Sequence, residues 1–138
     1  MSNPITVNIS AQPTYTADAG YDLHANENLT LYQGARALIS TGVHAAIPPG
    51  HVGLICPRSG LAHKHGVTVL NAPGIVDAGY TGEIKVNLHN TSRLTRYIKR
   101  GDRIAQLVIV PIADTHLVQV DSLEATERGS NGHGSTGN

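Results

Sequence analysis

Apolar and polar residues alternate with a period of two in short stretches along the chain, the spacing of half-buried β-strands. Residues 5–10 read as a first strand on this basis. Residues 29–32 and 35–39 flank Gln33-Gly34, a hairpin turn. Residues 42–47 and 51–56 flank Pro48-Pro49-Gly50, where proline presets φ and glycine supplies the positive-φ position. Segments 65–70 and 84–88 predict a further hairpin, but its connection, residues 71–83, is far longer than the about two to five residues a plain hairpin uses. Residues 96–98 and 104–112 surround the turn Lys99-Arg100-Gly101-Asp102, and the run 104–112 is almost continuously apolar, which predicts burial on both faces. A last strand is expected over 116–120. Only residues 59–65 suit a helix, a turn or two beginning at Ser59, a good capping residue. There is no repeat and no interdomain linker. The pattern predicts an all-β single domain, a β-sandwich or jelly roll of roughly ten short strands with one short helix.

Composition sharpens this picture. Phe and Trp are absent and Tyr occurs five times, so Val, Ile, Leu and Ala must form the core, and the β-branched members favour strands. At 138 residues the chain is long enough for one domain with a real core. Ten basic residues balance ten acidic ones. No net pull toward nucleic acid or a membrane surface is expected, so any phosphate site has to be built locally. The single cysteine, Cys56, excludes an intrachain disulfide framework and suits a reducing compartment. No apolar run approaches the roughly 20 residues of a membrane span, and the N-terminus lacks a signal-peptide pattern. A soluble, cytoplasmic protein is expected.

Two stretches carry candidate chemistry. The long connection 71–83 places one carboxylate, Asp77, directly after Ile75-Val76 and one aromatic, Tyr80, between two glycines. Gly74, Gly79 and Gly82 let its backbone approach a flat ligand, so that N–H and C=O groups can meet the edge of a base. From Glu127 onward the chain has almost nothing to bury, which divides it into a β domain, residues 1–126, and a mobile glycine-rich tail, residues 127–138. That tail can be a plain disordered terminus. It also holds a guanidinium (Arg128), a ring (His133), two adjacent hydroxyls (Ser135, Thr136) and several glycines, groups that suit phosphate and base. The spacing from Gly129 to Gly134-Ser135 is superficially that of a P-loop, but the lysine is missing and no helix can follow, so that reading fails. His63 and His65 stand two apart on a one-turn helix, a poor geometry for sharing a metal.

Five segments taken together resemble the trimeric deoxyuridine triphosphatase (dUTPase) family. They are Ala19-Gly20-Tyr21-Asp22-Leu23; Pro57-Arg58-Ser59-Gly60-Leu61-Ala62; residues 71–83; Arg100-Gly101-Asp102-Arg103-Ile104-Ala105-Gln106-Leu107; and residues 128–137. Each alone is weak, but all five occur in the family's order and spacing. The resemblance implies a jelly-roll homotrimer with shared active sites that hydrolyses dUTP to dUMP and pyrophosphate with Mg²⁺, binding neither nucleic acid nor membrane. That activity limits uracil in DNA and supplies dUMP for thymidylate synthesis.

The resemblance also implies roles residue by residue. Asp22, otherwise a turn or capping aspartate, becomes the carboxylate that holds Mg²⁺ through water; one carboxylate suffices when phosphates supply other ligands. Ser59, otherwise an N-cap, lies with Gly60 against the α,β-phosphate bridge. Arg58 supports it by touching phosphate or by pairing with a carboxylate across a subunit boundary. Asp77, otherwise a turn residue, orients the attacking water. The family often has a second acid two residues later, where this chain has Gly79. Tyr80 lies against the deoxyribose and excludes a 2′-hydroxyl, while Asn71 and nearby backbone read uracil. Gln106 is either a hydrogen-bonded core residue or a phosphate contact, and Asp102 and Arg103 serve structure or a subunit interface. Arg128, Gly134, Ser135 and Thr136 close on the γ-phosphate. His133 stands where most members carry Phe; an imidazole can stack on uracil, but its charge can change within the physiological pH range. Two rivals are a related dCTP deaminase, although those chains are longer, and a catalytically idle nucleotide-binding trimer, against which Asp22, Asp77 and the whole tail argue.

Overall fold

The computed structural model describes residues 4–11 and 19–137. Its elements are β1 (Asn8–Ile9), β2 (Tyr21–His24), β3 (Leu29–Leu31), β4 (Arg36–Val43), β5 (Ala45–Ala46), β6 (His51–Cys56), α1 (Ser59–His65), β7 (Val67–Val69), β8 (Gly74–Val76), β9 (Ile84–Asn90), β10 (Arg96–Ile98) and β11 (Arg103–Pro111). The antiparallel sheet β2-β11-β6-β8 and the sheet β4-β9-β7 are completed by the two-stranded pairs β1-β5 and β10-β3. One core joins both larger sheets: Leu23, Ile55, Ile104 and Leu107 come from the first, Ile39, Val67, Val86 and Leu88 from the second. Each such side chain contributes roughly 1.5–3 kcal/mol by leaving water. No large aromatic ring is among them; short aliphatic side chains from closely spaced strands fill the volume.

The expected all-β architecture with one helix is present, but several pairings differ. β7 and β9 do form the expected hairpin, with Val67 opposite Asn90 and Val69 opposite Leu88. The strands around Gln33-Gly34 do not pair with each other: β3 joins β10 and β4 joins β9. Likewise β5 turns to β1, whereas β6 joins β11 and β8. A turn signal is local, whereas the sheet a strand enters depends on distant surfaces. The expected first strand narrows to Asn8–Ile9. The long connection 71–83 contains a strand of its own, β8, laid against β6.

Two burial expectations are corrected. In β11, Ile104, Ala105 and Leu107 are buried, but Val108 to Val110 are half-buried and Ile112 is exposed, so the run is covered on both faces only in its first half. Residues 116–120 form no strand. The segment pairs with no strand of this protomer, and Leu117 is 93% and Leu123 87% exposed. The helix spans 59–65 as expected, but its N-cap is Arg58 with no side-chain hydrogen bond, so Ser59 is the first helical residue and not the cap.

Candidate active site

Two groups of the expected residues assemble at different places in the protomer. The first gathers where β2, β11 and the end of β6 lie side by side: Gln106 stands opposite both Asp22 and Cys56. Its amide donates to the Pro57 carbonyl at 3.2 Å, which fixes the start of the Pro57-Arg58-Ser59-Gly60 turn. Gly20 makes room for this side chain, since a Cβ there would stand 2.8 Å from the Gln106 Oε1. Asp22 is largely buried between two guanidiniums, with Arg58 Nε 3.8 Å from Oδ1 and Arg103 Nε 3.6 Å from Oδ2. Arg58 also donates to the Arg103 carbonyl at 3.4 Å. At this protomer's surface, then, Arg58 pairs with a carboxylate of its own chain. Long, partly exposed pairs of this kind contribute about 0–1 kcal/mol; their role is to aim the groups.

Among the described residues no group of three or more His, Cys, Asp or Glu side chains could enclose a cation. Asp22 alone remains, and its buried Oδ2 has no hydrogen-bond partner. An acceptor with no hydrogen bond, in a long ion pair with Arg103, suits at most a hydrated magnesium whose inner ligands are water and phosphate oxygens, and does not suit a cation stripped by protein. Asp102, by contrast, is occupied in its own turn, where Oδ2 accepts from the Lys99 amide at 2.8 Å. His63 and His65 are exposed on α1.

The second group lines a cavity of about 260 Å³ between β8 and the start of β9, with Asn71, Ile75, Tyr80 and Glu83 on its walls. Asp77 directly follows Val76, another wall residue, and is exposed, but it is not itself among the residues that line the cavity. The Tyr80 amide donates to the Asp77 carbonyl at 3.1 Å, closing the Asp77-Ala78-Gly79-Tyr80 turn. Mixed polar and apolar walls that meet backbone groups of β8 form a slot suited to a flat, edge-reading ligand.

Two hydrogen bonds tie this loop to β4 and a third ties it to the residue after β4, none of them foreseen from the sequence. β4 carries a bulge between Ser40 and Val43. Gly42 there has φ +70°, a left-handed conformation that suits glycine. This turns the Gly42 amide to Glu83 Oε2 at 2.9 Å, and the Ser40 hydroxyl donates to the same oxygen. The two donors, Ser40 first, hold the Glu83 carboxyl below the ordinary carboxylate range. Next to this contact, His44 Nδ1 lies 2.9 Å from the Thr81 carbonyl. Ser40 and Glu83 are 43 positions apart, so no local pattern could have joined them.

The two groups do not meet within one protomer. Asp22 is on β2 and Asp77 follows β8, the two outermost strands of the four-stranded sheet. Three strand spacings of about 4.8 Å separate them, and the register places Val76 opposite Gly53 while Gln106 is opposite Cys56, which adds about 10 Å along the strands. The tail forms a third region. Among the described residues its bonds are local, including Arg128 Nε to the Asn131 carbonyl at 2.9 Å, and Arg128, His133, Gly134, Ser135 and Thr136 are all exposed.

Comparison with known proteins gives a consistent result. The dUTPase family model matches residues 8–137. A deoxyuridine 5′-triphosphate nucleotidohydrolase from Cutibacterium acnes is 48% identical over 130 residues, covering 92% of this chain and 86% of the relative. The solved dUTPase of Staphylococcus bacteriophage 80alpha with dUPNHPP superposes with a TM-score of 0.83 at 32% identity, covering 96% of this chain and 98% of that one. A mutant dUTPase from phage phi11 of S. aureus, described with the coordination of a structural Mg(II) ion, gives a TM-score of 0.77 at 30% identity over 88% of this chain and 100% of that one.

Proposed function

The chain belongs to the dUTPase family, and from that membership we propose that it converts dUTP to dUMP and pyrophosphate in sites completed between copies of a homotrimer. The observation that carries the reading is the cavity walled by Asn71 and Tyr80, with the exposed Asp77 next in the chain to the wall residue Val76. Asn71 and the β8 backbone meet the uracil edge, and the Tyr80 ring stands against the sugar where a 2′-hydroxyl would otherwise fit. Asp77 holds a water in line with the α-phosphorus and takes up its proton as the P–O bond forms. The electron pair of the breaking bond leaves with pyrophosphate.

A neighbouring copy's first group supplies the triphosphate side. Ser59 and Gly60 meet the α,β-bridge with a hydroxyl and an amide, Gln106 reaches the phosphate chain, and Arg58 stays fixed by Asp22. Asp22 Oδ2 would accept from a water of a magnesium ion carried by the triphosphate. Such an ion neutralises charge developing on the phosphate oxygens. The tail of a third copy brings Arg128, Ser135, Gly134 and Thr136 to the γ-phosphate and lays His133 on the base. Sharing is supported by the separation of Asp22 from Asp77 and by the uncovered apolar residues Leu117, Val118 and Leu123, which suit the surface of a second copy. No helix among the described residues is long and apolar enough to cross a membrane; we place the reaction in the cytoplasm, where it limits dUTP and yields dUMP for thymidylate synthesis.

The test is pyrophosphate release from dUTP by the purified protein against Asp77→Asn. Losing a positioned base costs roughly 10²–10⁴ in turnover. An Asp77→Asn protein as active as its parent would sink the assignment.

A further inference from the structure

Tyr80 does not hold its own ring in place. Its hydroxyl donates to the Glu83 main-chain carbonyl at 2.8 Å, folding the phenol back over the three residues that follow. The ring lies so close to Gly82 that a Cβ there would stand 2.6 Å from the phenol oxygen. The position of that carbonyl depends in turn on the Glu83 side chain, whose Oε2 is gripped by the Ser40 hydroxyl and the Gly42 amide of the β4 bulge. The Thr41 hydroxyl fixes the next carbonyl, that of Ile84. A chain of contacts therefore runs from a bulge in one sheet, through a single carboxylate, to the phenol at the cavity wall.

We infer that Glu83 and Gly82 are positioning residues for sugar selection, with the Ser40–Gly42 bulge as the anchor that sets how far the Tyr80 ring stands into the cavity. The inference rests on the reading of Tyr80 as the wall that excludes a 2′-hydroxyl. Glu83 also borders the cavity itself, but its carboxylate oxygen is turned to β4, so it acts through Tyr80 and not on the substrate. A ring free to swing would still bury apolar surface against a sugar and would yield to a ribose. Loss of the anchor therefore alters which sugar is accepted more than how fast the bound nucleotide reacts.

The test compares kcat and KM for dUTP and UTP, by pyrophosphate release, in the full-length protein. In Glu83→Ala the ratio of kcat/KM for dUTP over UTP should fall roughly 10- to 100-fold, the scale of a misplacement near 1 Å, with KM for dUTP raised and kcat little changed. Glu83→Gln keeps an acceptor for Ser40 and Gly42 and should restore most of the ratio. Should Glu83→Ala not fold, Ser40→Ala and Gly82→Ala carry the same test, and each should lower the ratio in the same direction. A role limited to stability would lower activity toward both nucleotides together; an unchanged ratio in these variants, while Tyr80→Ala collapses it, overturns the inference alone. If Tyr80→Ala itself leaves the ratio unchanged, the reading of Tyr80 as the sugar wall falls and the inference with it.

Discussion

The loop over residues 71–83 and the tail over residues 127–137 are both polar and glycine-rich, and both were expected to touch nucleotide, yet the fold treats them in opposite ways. The loop contributes a strand, β8, to the larger sheet and is bolted to β4 by the Glu83 carboxylate. Among the described residues, the tail's hydrogen bonds are all to neighbours within a few positions. Under the proposed function the loop is a reader whose ordering cost is met during folding, whereas the tail would meet that cost when ligand arrives and work as a closure. Glycine content alone does not distinguish the two; long-range anchorage does.

Removing residues 128–138 makes the hardest break in this contrast. The deletion takes away the Arg128 guanidinium and the His133 ring, which together should lower kcat/KM for dUTP roughly 100-fold or more. The melting temperature should stay within about 1 °C, because a loss of several degrees would need a stabilising contact near 1 kcal/mol that the free tail lacks. A truncated protein that melts several degrees lower would show the tail to be anchored after all.

Acid offers a finer cut, because it loosens the loop and spares the tail. The folded-state pKa of Glu83 lies below its ordinary 4.5, owing first to the Ser40 hydroxyl, then to the Gly42 amide, with the charges of Lys85 and His44 adding to it. A carboxylate lowered on folding stabilises fully above its unfolded pKa and loses that contribution as pH falls through the folded value. Hydrogen-exchange protection at Gly42 and Tyr80 should therefore drop below pH 4.5, with no such step at Ser135. In Glu83→Gln the step should vanish; its persistence would point to another group.

The smallest effect belongs to His133. A stacking contact on the scale of about 1 kcal/mol changes affinity a few-fold. KM for dUTP should therefore rise a few-fold in His133→Ala and stay near the parental value in His133→Phe, whose ring can stack in the same way. A His133→Ala protein with the parental KM would show that the ring makes no such contact.

What could be read in advance divides along the same line as the loop and the tail. The helix over 59–65 and the β7–β9 pairing were legible from apolar alternation and the glycines that bound them, although Ser59 is not the cap and β8 lies between the paired strands. The four-stranded sheet does not, because β6 and β11 are joined across some fifty residues by surfaces no local pattern records. Residues 116–120 have the alternation of a strand but pair with no edge of their own protomer. Asn71, Tyr80 and Asp77 were legible as one constellation because a single turn carries them. The Ser40–Glu83 contact was not, since a serine in a strand and a glutamate after a glycine are unremarkable apart from each other. β2 was also missed: Leu23 alone is buried within it, too little for a period to show.

The two acidic side chains on opposite margins of one sheet carry a consequence beyond enzymology. Under the shared-site reading, no subunit can fail privately: a chain defective at Asp77 spoils a site that also borrows from its neighbours, and a chain defective at Asp22 spoils another. In a cell making sound copies beside copies faulty at both positions, each faulty chain would spoil two sites, and half a dose of such error would cost more than half of the output.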